Sequence, residues 1–312
     1  MKVLIAGATG AVGVPLVALL VGGGHEVTGI VRSPAGAARL RGLGAAAVTA
    51  DVLDRDELMR AVEGLACDAV VHQLTALKKA PLRVADMVTT NELRTRGTAH
   101  LLKAAHAVGA GRFVTQCIVF GYGFRDHGPR PLSETDPFGQ PHGDRFDPIV
   151  AALASAEQQV FTDPQVQGVA LRYGLFYGRD LAVVTRMLRR RSLPVTSSVA
   201  TLAMVHHDDA AAATLAALER GRADTAYNIV DDTPISWRGY LTAAADATAA
   251  PHPLVVPKRL LTAVAPYGGR VATEISMVVS NARAQEDLGW RPRHPSCADG
   301  LAATVSGQVV VP

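Results

Sequence analysis

The stretch Val3-Leu4-Ile5-Ala6-Gly7-Ala8-Thr9-Gly10-Ala11-Val12-Gly13 decides the fold of this chain. It joins an apolar run that fits a short strand to an apolar run that fits a helix over residues 11–21. Its three evenly spaced glycines lack Cβ atoms, so the backbone can turn tightly and come close to a pyrophosphate. The first N–H groups of the helix are then free to bind phosphate. We predict a dinucleotide-binding turn whose contact residues are Gly7, Thr9, Gly10, Ala11, Val12 and Gly13.

The end of the second predicted strand indicates which dinucleotide binds. A carboxylate at this place would bind the ribose 2′-hydroxyl of NAD, but the sequence has Val31-Arg32-Ser33. The Arg32 guanidinium suits a 2′-phosphate, and Ser33 adds a hydrogen-bonding hydroxyl. NADP is therefore the preferred cofactor, and NAD is the alternative. Arg32 also fits an exposed loop arginine that has no part in cofactor binding. Asp51, after the third predicted strand, is a candidate acceptor for the adenine amine.

Strand-like and helix-like segments alternate along the first half of the chain. Strands are predicted at 2–6, 26–31, 46–50, 68–72, 112–116 and 169–172, and a long helix at 91–108. Strands that are apolar throughout and are each followed by a helix predict a parallel sheet buried on both faces. Right-handed crossovers make this a doubly wound α/β sheet. We predict a dinucleotide-binding domain over 1–178 and a smaller, interleaved C-terminal lobe, mainly for substrate, over 179–312.

Composition and charge exclude several classes of protein. Of 312 residues, 48% are hydrophobic and 19% charged, so the chain has enough apolar surface to fold. A net charge of +3 gives no footprint for nucleic acid, and no apolar run reaches the ~18 residues that span a bilayer. Three cysteines without metal-like spacing predict a reducing compartment, and we expect a cytoplasmic protein. The expected partner is a small-molecule substrate, and a homodimer is compatible with the sequence.

These segments resemble the extended or atypical short-chain dehydrogenases/reductases of the NAD-dependent epimerase/dehydratase family. The resemblance covers nearly the whole chain and implies a Rossmann-type nucleotide domain. Its matching stretches are 7–13, 51–54, 70–75, 91–98, 131–137, 171–178, 206–210 and 288–292. The further cofactor-site residues that it implies are Val52, Leu74, Thr75, Asn91, Gly174 and Phe176.

The catalytic pattern of that family is missing from this chain. The family uses Ser or Thr after the fifth strand and Tyr-x-x-x-Lys on the next helix, where lysine lowers the pKa of the tyrosine. Here Cys117 takes the place of the serine. Aligning Glu157 with the family's glutamate puts Ile149 at the tyrosine and Leu153 at the lysine. Neither side chain can carry a proton, so the usual acid is absent.

Three interpretations of the missing pattern remain open. In the first, the protein reduces a carbonyl or oxidises an alcohol with an acid from elsewhere, and the candidate catalytic residues are Tyr122, Cys117 and Tyr177, with Tyr173 as a further tyrosine. In the second, it is a non-redox cyclase, isomerase or dehydratase on the same fold. In the third, it is a dinucleotide-sensing regulator without turnover. Each tyrosine also fits plain packing with a satisfied hydroxyl.

The aromatic residues are unevenly placed along the chain. None precedes Phe113, and most lie between Phe113 and Tyr177. We expect them to line an apolar substrate pocket, the alternative being a lid that packs on itself. The run His206-His207-Asp208-Asp209 resembles a metal cluster. Adjacent histidines on a strand point to opposite faces, so no metal is predicted.

Replacing Arg32 with Glu tests the choice of cofactor. The variant should lose roughly tenfold to a hundredfold in affinity for NADPH, because a charge-assisted hydrogen bond to the 2′-phosphate is replaced by repulsion. Its affinity for NADH should change little. Fluorescence titration of both reduced nucleotides measures the two losses, and equal losses would contradict the assignment of Arg32 to the 2′-phosphate.

Overall fold

The computed structural model describes residues 1–77 and 80–307, and a parallel β-sheet lies at its centre. The strands are β1 (Lys2–Ala6), β2 (Glu26–Val31), β3 (Ala46–Thr49), β4 (Ala69–His72), β5 (Arg112–Ile118), β6 (Gln167–Tyr173), β7 (Leu175–Tyr177), β8 (Thr201–Leu202), β9 (Met204–His206), β10 (Thr225–Ile229) and β11 (Ile235–Ser236). Seven of them form the main sheet in the order β10-β6-β5-β4-β1-β2-β3. All of its paired strands run parallel.

Helices cover both faces of this sheet. They are α1 (Gly13–Gly22), α2 (Pro34–Gly42), α3 (Arg55–Val62), α4 (Val88–Glu92), α5 (Thr98–Ala107), α6 (Asp147–Thr162), α7 (Leu181–Arg189), α8 (His207–Arg220), α9 (Trp237–Ala247), α10 (Lys258–Val264), α11 (Pro266–Thr273), α12 (Ala282–Leu288) and α13 (Cys297–Val305). Helices α1, α8 and α12 pack together on one side, and α3, α5 and α6 on the other. The predicted doubly wound α/β fold is confirmed. Within the described residues, no helix is long and apolar enough to cross a membrane.

Strand β1 shows why its sequence lacks the alternation of a surface strand. Val3 and Ile5 join the apolar core beneath α1, whereas Leu4 and Ala6 join the core beneath α3 and α5. Successive side chains on a strand point to opposite faces, so burial of both faces requires apolar residues at every position. The central strand therefore has cores on both sides.

The C-terminal lobe interleaves with the sheet. Short strand pairs β7–β9 and β8–β11, with α7, α9 and α13, pack around an aromatic and aliphatic core. Strand β10 returns to the edge of the main sheet beside β6, and α8 returns to cover α1. The division at residue 178 stays a prediction, and residues 308–312 of the predicted lobe lie outside the described residues.

Several element boundaries differ from those predicted. The helix predicted at 91–108 starts earlier, as a 3₁₀ turn at Val84–Met87 and α4, and contains a π-helical turn at Leu93–Gly97. The sequence also predicts one strand over 201–205, but this segment forms two strands, because the Ala203 carbonyl accepts the Leu175 N–H. Helices α11 and α13 were not predicted. Two glycines lower helix propensity in α11, so only packing favours it there.

A buried carboxyl group fastens α13 to the rest of the lobe. The Tyr177 hydroxyl lies 2.8 Å from Asp231 Oδ2 and 3.2 Å from the Ser296 carbonyl oxygen. One hydroxyl proton serves only one of these acceptors, so the arrangement is fully satisfied when Asp231 carries a proton of its own. Asp231 Oδ1 has no hydrogen-bond partner among the described residues. Burial raises the pKa of Asp231 to about 8.

Asp231 should make the fold less stable as pH rises. Its carboxyl ionises near pH 4 in the unfolded chain but only near pH 8 in the fold, so between these values the unfolded state binds fewer protons and stability falls. Asp231→Asn removes this loss, and we expect it to be more stable than wild type by about 1–3 kcal/mol at pH 8. Urea unfolding at pH 5 and pH 8 measures the difference. Parallel pH dependence in the two proteins would contradict the prediction.

Candidate active site

The glycine-rich turn after β1 forms a cradle with no space for side chains. Gly7 has φ of 93°, and a Cβ atom on it would lie 2.5 Å from the Gln73 carbonyl oxygen. A Cβ atom on Gly13 would lie 2.1 Å from the Gly7 carbonyl oxygen. The Gly10 N–H donates to the Gly7 carbonyl at 2.9 Å, so α1 begins at Gly13 and not at Ala11 as predicted. No side chain caps α1, which leaves its first N–H groups for a ligand, and the turn fits a dinucleotide pyrophosphate.

Exposed basic side chains surround the end of β2. Arg32 is exposed, and Ser33 caps α2 by accepting the Gly36 N–H at 3.2 Å. The Ser33 hydroxyl proton is not used by this cap. Arg39, which the sequence did not single out, reaches from α2 to the Thr9 carbonyl at 3.4 Å. Arg39 thus contacts the glycine-rich turn, Arg32 lies directly after the neighbouring strand β2, and the first turn of α2 contains no acidic residue.

Asp51 and Val52 follow β3 at the same edge of the sheet. The Asp51 N–H donates to Glu57 Oε2 at 3.0 Å, and Asp54 caps α3 by accepting the Glu57 N–H at 2.9 Å. The sequence also predicts a capping box, with Asp54 as the cap and Glu57 three residues on. Only the Asp54 half forms, because the Glu57 carboxylate accepts the Asp51 N–H and not that of Asp54. Val52 is buried in the core beneath α3. The contact of Asp51 with adenine stays a prediction.

The end of β4 is held in place by buried polar side chains. The Leu74 N–H donates to His72 Nδ1 at 3.2 Å, and the Leu74 carbonyl accepts from Gln116 Nε2 at 3.1 Å. Since His72 Nδ1 accepts, His72 Nε2 donates to the Leu93 carbonyl at 3.2 Å. Burial lowers the pKa of His72 to about 4, so this histidine is neutral and positions backbone. Thr75 follows on the exposed side of this segment.

The segment after β6 continues the same edge of the sheet. Gly174 packs so tightly that a Cβ atom on it would lie 2.8 Å from the Ala203 carbonyl oxygen. Phe176 stacks on His207 at 5.4 Å between ring centroids. Asn91, on α4, accepts a hydrogen bond from Arg94 at 3.4 Å. The roles of these residues toward the cofactor stay predictions.

The two positions that we predict to correspond to the family's tyrosine and lysine lie in the apolar core. Ile149 and Leu153 are buried on α6, in the same core as Cys117. The Cys117 thiol donates to the Leu153 carbonyl at 3.5 Å. Burial raises the pKa of Cys117, so it remains a neutral thiol with its proton engaged. Its predicted part in catalysis stays untested, and this environment does not activate it as a nucleophile.

Tyr122 belongs to a buried polar network. Its hydroxyl accepts from Arg172 at 2.9 Å and lies 2.8 Å from Asn228 Oδ1 and 3.0 Å from the Ser133 carbonyl oxygen. Arg172 forms a buried, two-point ion pair with Glu157 on α6. Burial raises the pKa of Tyr122 to about 12. The hydroxyl is thus fully occupied, and its assignment as an acid stays a prediction.

The other two predicted tyrosines are likewise engaged. The Tyr173 hydroxyl lies 2.6 Å from Thr214 Oγ1 and accepts from Gln73 Nε2 at 2.8 Å. The Tyr177 hydroxyl is held between Asp231 and Ser296, as described above. Both rings are fully buried, and burial raises the pKa of each phenol. Neither hydroxyl is free to meet a substrate in this arrangement.

Tyr267 and Arg94 are candidates that the sequence did not reveal. The Tyr267 hydroxyl forms no hydrogen bond within the described residues, and its ring packs against Phe124 and Phe146. Burial raises the pKa of Tyr267 to about 12 and the positive charge of Arg94 acts to lower it. Arg94 itself is buried. The sequence did hold one signal for Arg94. It is a charged residue on the face of the helix that also carries Thr90, Thr98 and Leu101, and this face is buried.

The histidine pair near α8 supports the lobe. His206, Asp209 and His294 bring side-chain atoms within 4.8 Å of one another. Both Asp209 oxygens accept backbone N–H groups, from Arg293 at 2.9 Å and His294 at 3.0 Å. His206 Nδ1 accepts the N–H of the second residue of α8, and its Nε2 bonds a threonine hydroxyl. These atoms fasten the segment before α13 to α8, so we assign no metal here.

Comparison with known proteins identifies the relatives of this chain. The model of the NAD-dependent epimerase/dehydratase family matches residues 3–230. A 3-diazoavenalumate denitrifying reductase from Streptomyces sp. is 36% identical, over 96% of this chain and 99% of that protein. The predicted family and the predicted class of NAD(P)-dependent oxidoreductase are thereby confirmed.

Solved structures share the whole architecture. UDP-glucose 4-epimerase from Thermotoga maritima, solved with UDP-glucose, has a TM-score of 0.80 at 21% identity and covers 98% of both chains. Human epimerase family protein SDR39U1, solved with NADPH, has a TM-score of 0.79 at 23% identity, over 98% of this chain and 99% of that one. At these identities the likeness shows the fold alone.

Replacing Tyr122 and Tyr267 with Phe separates a structural hydroxyl from a free one. Tyr122→Phe should lower the free energy of unfolding by about 1–3 kcal/mol, because Arg172 and Asn228 lose a buried partner. Tyr267→Phe should change it by less than about 0.5 kcal/mol, because no hydrogen bond is lost. Urea unfolding of the two variants measures both values. Equal losses would show that the Tyr122 network does not stabilise the fold.

Proposed function

The chain belongs to the NAD-dependent epimerase/dehydratase family, and we propose that it is an NADPH-dependent reductase of an apolar small molecule whose reduction needs no proton from the protein. The observation that carries this proposal is the burial of Ile149 and Leu153 where the family places tyrosine and lysine. A chain that keeps the cofactor turn but has neither group at these positions is suited to an acceptor that forms no oxyanion.

The preference for NADPH rests on the basic side chains around the turn. Arg32 stands where a carboxylate would bind the ribose of NAD, and Arg39 reaches across to Thr9 from α2. Both guanidinium groups are exposed and available to a 2′-phosphate, which they bind better than a ribose hydroxyl. Ser33 completes this set through the hydroxyl proton that its helix cap leaves free.

A diazo-bearing carbon is the acceptor that the site favours. The curated relative acts, by its name, on a diazo compound, removes nitrogen and is a reductase. When bound, the reduced nicotinamide supplies a hydride, and delivery of a hydride to a diazonium carbon forms a C–H bond as N₂ leaves, so no proton is required. What remains for the protein is to exclude water and to orient the acceptor, for which the apolar surroundings of Cys117, Ile149 and Leu153 are suited.

Reduction of a carbonyl is the second candidate, because the Tyr267 hydroxyl has no hydrogen-bond partner among the described residues. A carbonyl oxygen takes up a proton when it is reduced, and Tyr267 can donate one beside the positive charge of Arg94. The predicted roles of Tyr122, Cys117 and Tyr177 belong to this candidate. Their engaged hydrogen atoms favour Tyr267 over them.

We further propose an apolar substrate bound mainly by the C-terminal lobe, and a reducing compartment for the protein. Residues 179–312 contribute most of the substrate lobe, and the aromatic side chains Phe120, Phe124, Phe146 and Tyr267 favour an apolar substrate. The three cysteines are free and buried, which is typical of a protein from a reducing compartment such as the cytoplasm.

Turnover of a simple diazonium acid tests the function. We expect the purified protein to convert 4-diazobenzoate to benzoate with one N₂ released per NADPH oxidised, at a rate well above that of the heat-denatured protein. NADH should be the poorer reductant, and Gly13→Ala, whose Cβ would collide with Gly7, should be inactive. Gas release, product analysis and loss of reduced-nicotinamide absorbance are the measurements.

The other outcomes of this experiment assign the alternatives. Oxidation of NADPH by ketones but not by the diazonium acid, lost in Tyr267→Phe, would establish the carbonyl reductase. Tight NADPH binding without oxidation by either class of acceptor would contradict the reductase and favour a non-redox enzyme or a dinucleotide-sensing regulator. Failure to bind either nucleotide would contradict the cofactor assignment.

A further inference from the structure

Arg94 lies on an unusual turn in the middle of a helix. The chain passes from α4 to α5 through the π-helical turn Leu93–Gly97. Such turns are rare in proteins, and those that occur are often found at functional sites. The turn packs against α6, the helix that carries Leu153. His72 donates to the Leu93 carbonyl at 3.2 Å and so holds the start of the turn. The position of Arg94 is therefore fixed by the fold.

The Arg94 guanidinium is buried, and no described acidic side chain forms an ion pair with it. Only 4% of the surface of Arg94 is exposed. One terminal nitrogen donates to Asn91 Oδ1 at 3.4 Å, which is a long hydrogen bond, and Nε has no partner among the described residues. No ion pair to Arg94 forms within residues 1–77 and 80–307.

Arg172 shows how this fold satisfies a buried arginine when its role is structural. Arg172 is equally buried, and it forms a two-point ion pair with Glu157 and a hydrogen bond with Tyr122. Its guanidinium also lies 3.9 Å from the centroid of the Phe138 ring. Arg94 has none of these partners, although an unpaired buried charge costs several kcal/mol. The difference points to a ligand as the missing partner.

The neighbours of Arg94 place it beside the reacting groups of the proposed site. The Arg94 charge acts electrostatically on Cys117 and Tyr267, and both of these groups stay neutral at neutral pH because burial raises their pKa values. Cys117 in turn contacts Leu153, which stands at the family's lysine position. A group bound to Arg94 therefore lies next to the site where the substrate is expected.

We propose that Arg94 binds a carboxylate of the substrate and thereby selects apolar acids. A guanidinium presents a planar fork of donors that matches a carboxylate, and Nε with a terminal nitrogen supplies such a fork here. This inference rests on the proposed function for the position of the substrate, but carboxylate binding itself needs no turnover. The curated relative also acts on a compound that its name gives as an anion.

Binding of unreactive acids tests this proposal without any reaction. The probes are benzoate, cinnamate and hexanoate with their methyl esters, titrated calorimetrically into protein saturated with NADP⁺. Wild type should bind at least one acid roughly tenfold or more tighter than its ester. Arg94→Met should lose that preference, and Arg94→Lys, which keeps a charge but not the fork, should retain part of it. The matched control is Arg96→Met, which removes an exposed arginine two residues along the same helix.

The melting temperature of the ligand-free protein distinguishes ligand binding from a structural role. Arg94→Met should raise it, because an uncompensated buried charge is removed, whereas a structural arginine would lower it when lost. Equal acid preference in Arg94→Met and Arg96→Met, or no acid preference in wild type, would overturn the proposal. Loss of acid binding with intact NADP⁺ binding supports it even if no diazo compound or ketone is reduced.

Discussion

The close approach of Gly7 to the Gln73 carbonyl is the contact on which the rest of the site depends. It sets the end of β1 so close to the end of β4 that residue 7 cannot carry a side chain. Gln73 then donates to the Tyr173 hydroxyl at the end of β6. Gly174 follows and packs against Ala203 with the same lack of space. One line of backbone and side-chain contacts thus runs from the cofactor turn to the C-terminal lobe.

Helix α6 is tied to the main sheet by buried polar groups and also lines the apolar core. Glu157 and Arg172 form a buried ion pair that ties α6 to β6, and Tyr122 joins it from the loop after β5. On the same helix, Ile149 and Leu153, which we predict to occupy the positions of the family's tyrosine and lysine, lie in the apolar core. A scaffold that remains rigid without these groups can still orient two reactants, and orientation alone contributes several kcal/mol to catalysis.

The parts of the fold that were predictable follow local rules. The spacing of Gly7, Gly10 and Gly13 between two apolar runs specifies a strand, a turn and a helix, and the missing Tyr-x-x-x-Lys is visible in the sequence itself. Long-range partners were not predictable. The Tyr122 hydroxyl looked available, yet Asn228 and Arg172 occupy it from 106 and 50 positions away along the chain. Arg94, on the π-helical turn, acts electrostatically on Tyr267 of α11 although the two residues are far apart along the chain, and no local pattern contains that information.

The origin of the hydrogen atoms in the product tests the central claim, reduction without a proton from the protein. The reaction would be run once with NADPH deuterated at nicotinamide C4 in H₂O and once with ordinary NADPH in D₂O. Direct hydride delivery to a diazonium carbon predicts one deuterium in the product of the first reaction, none from solvent in the second, and the same turnover rate in H₂O and D₂O. Solvent deuterium on the product carbon, or a rate that falls severalfold in D₂O, would contradict it.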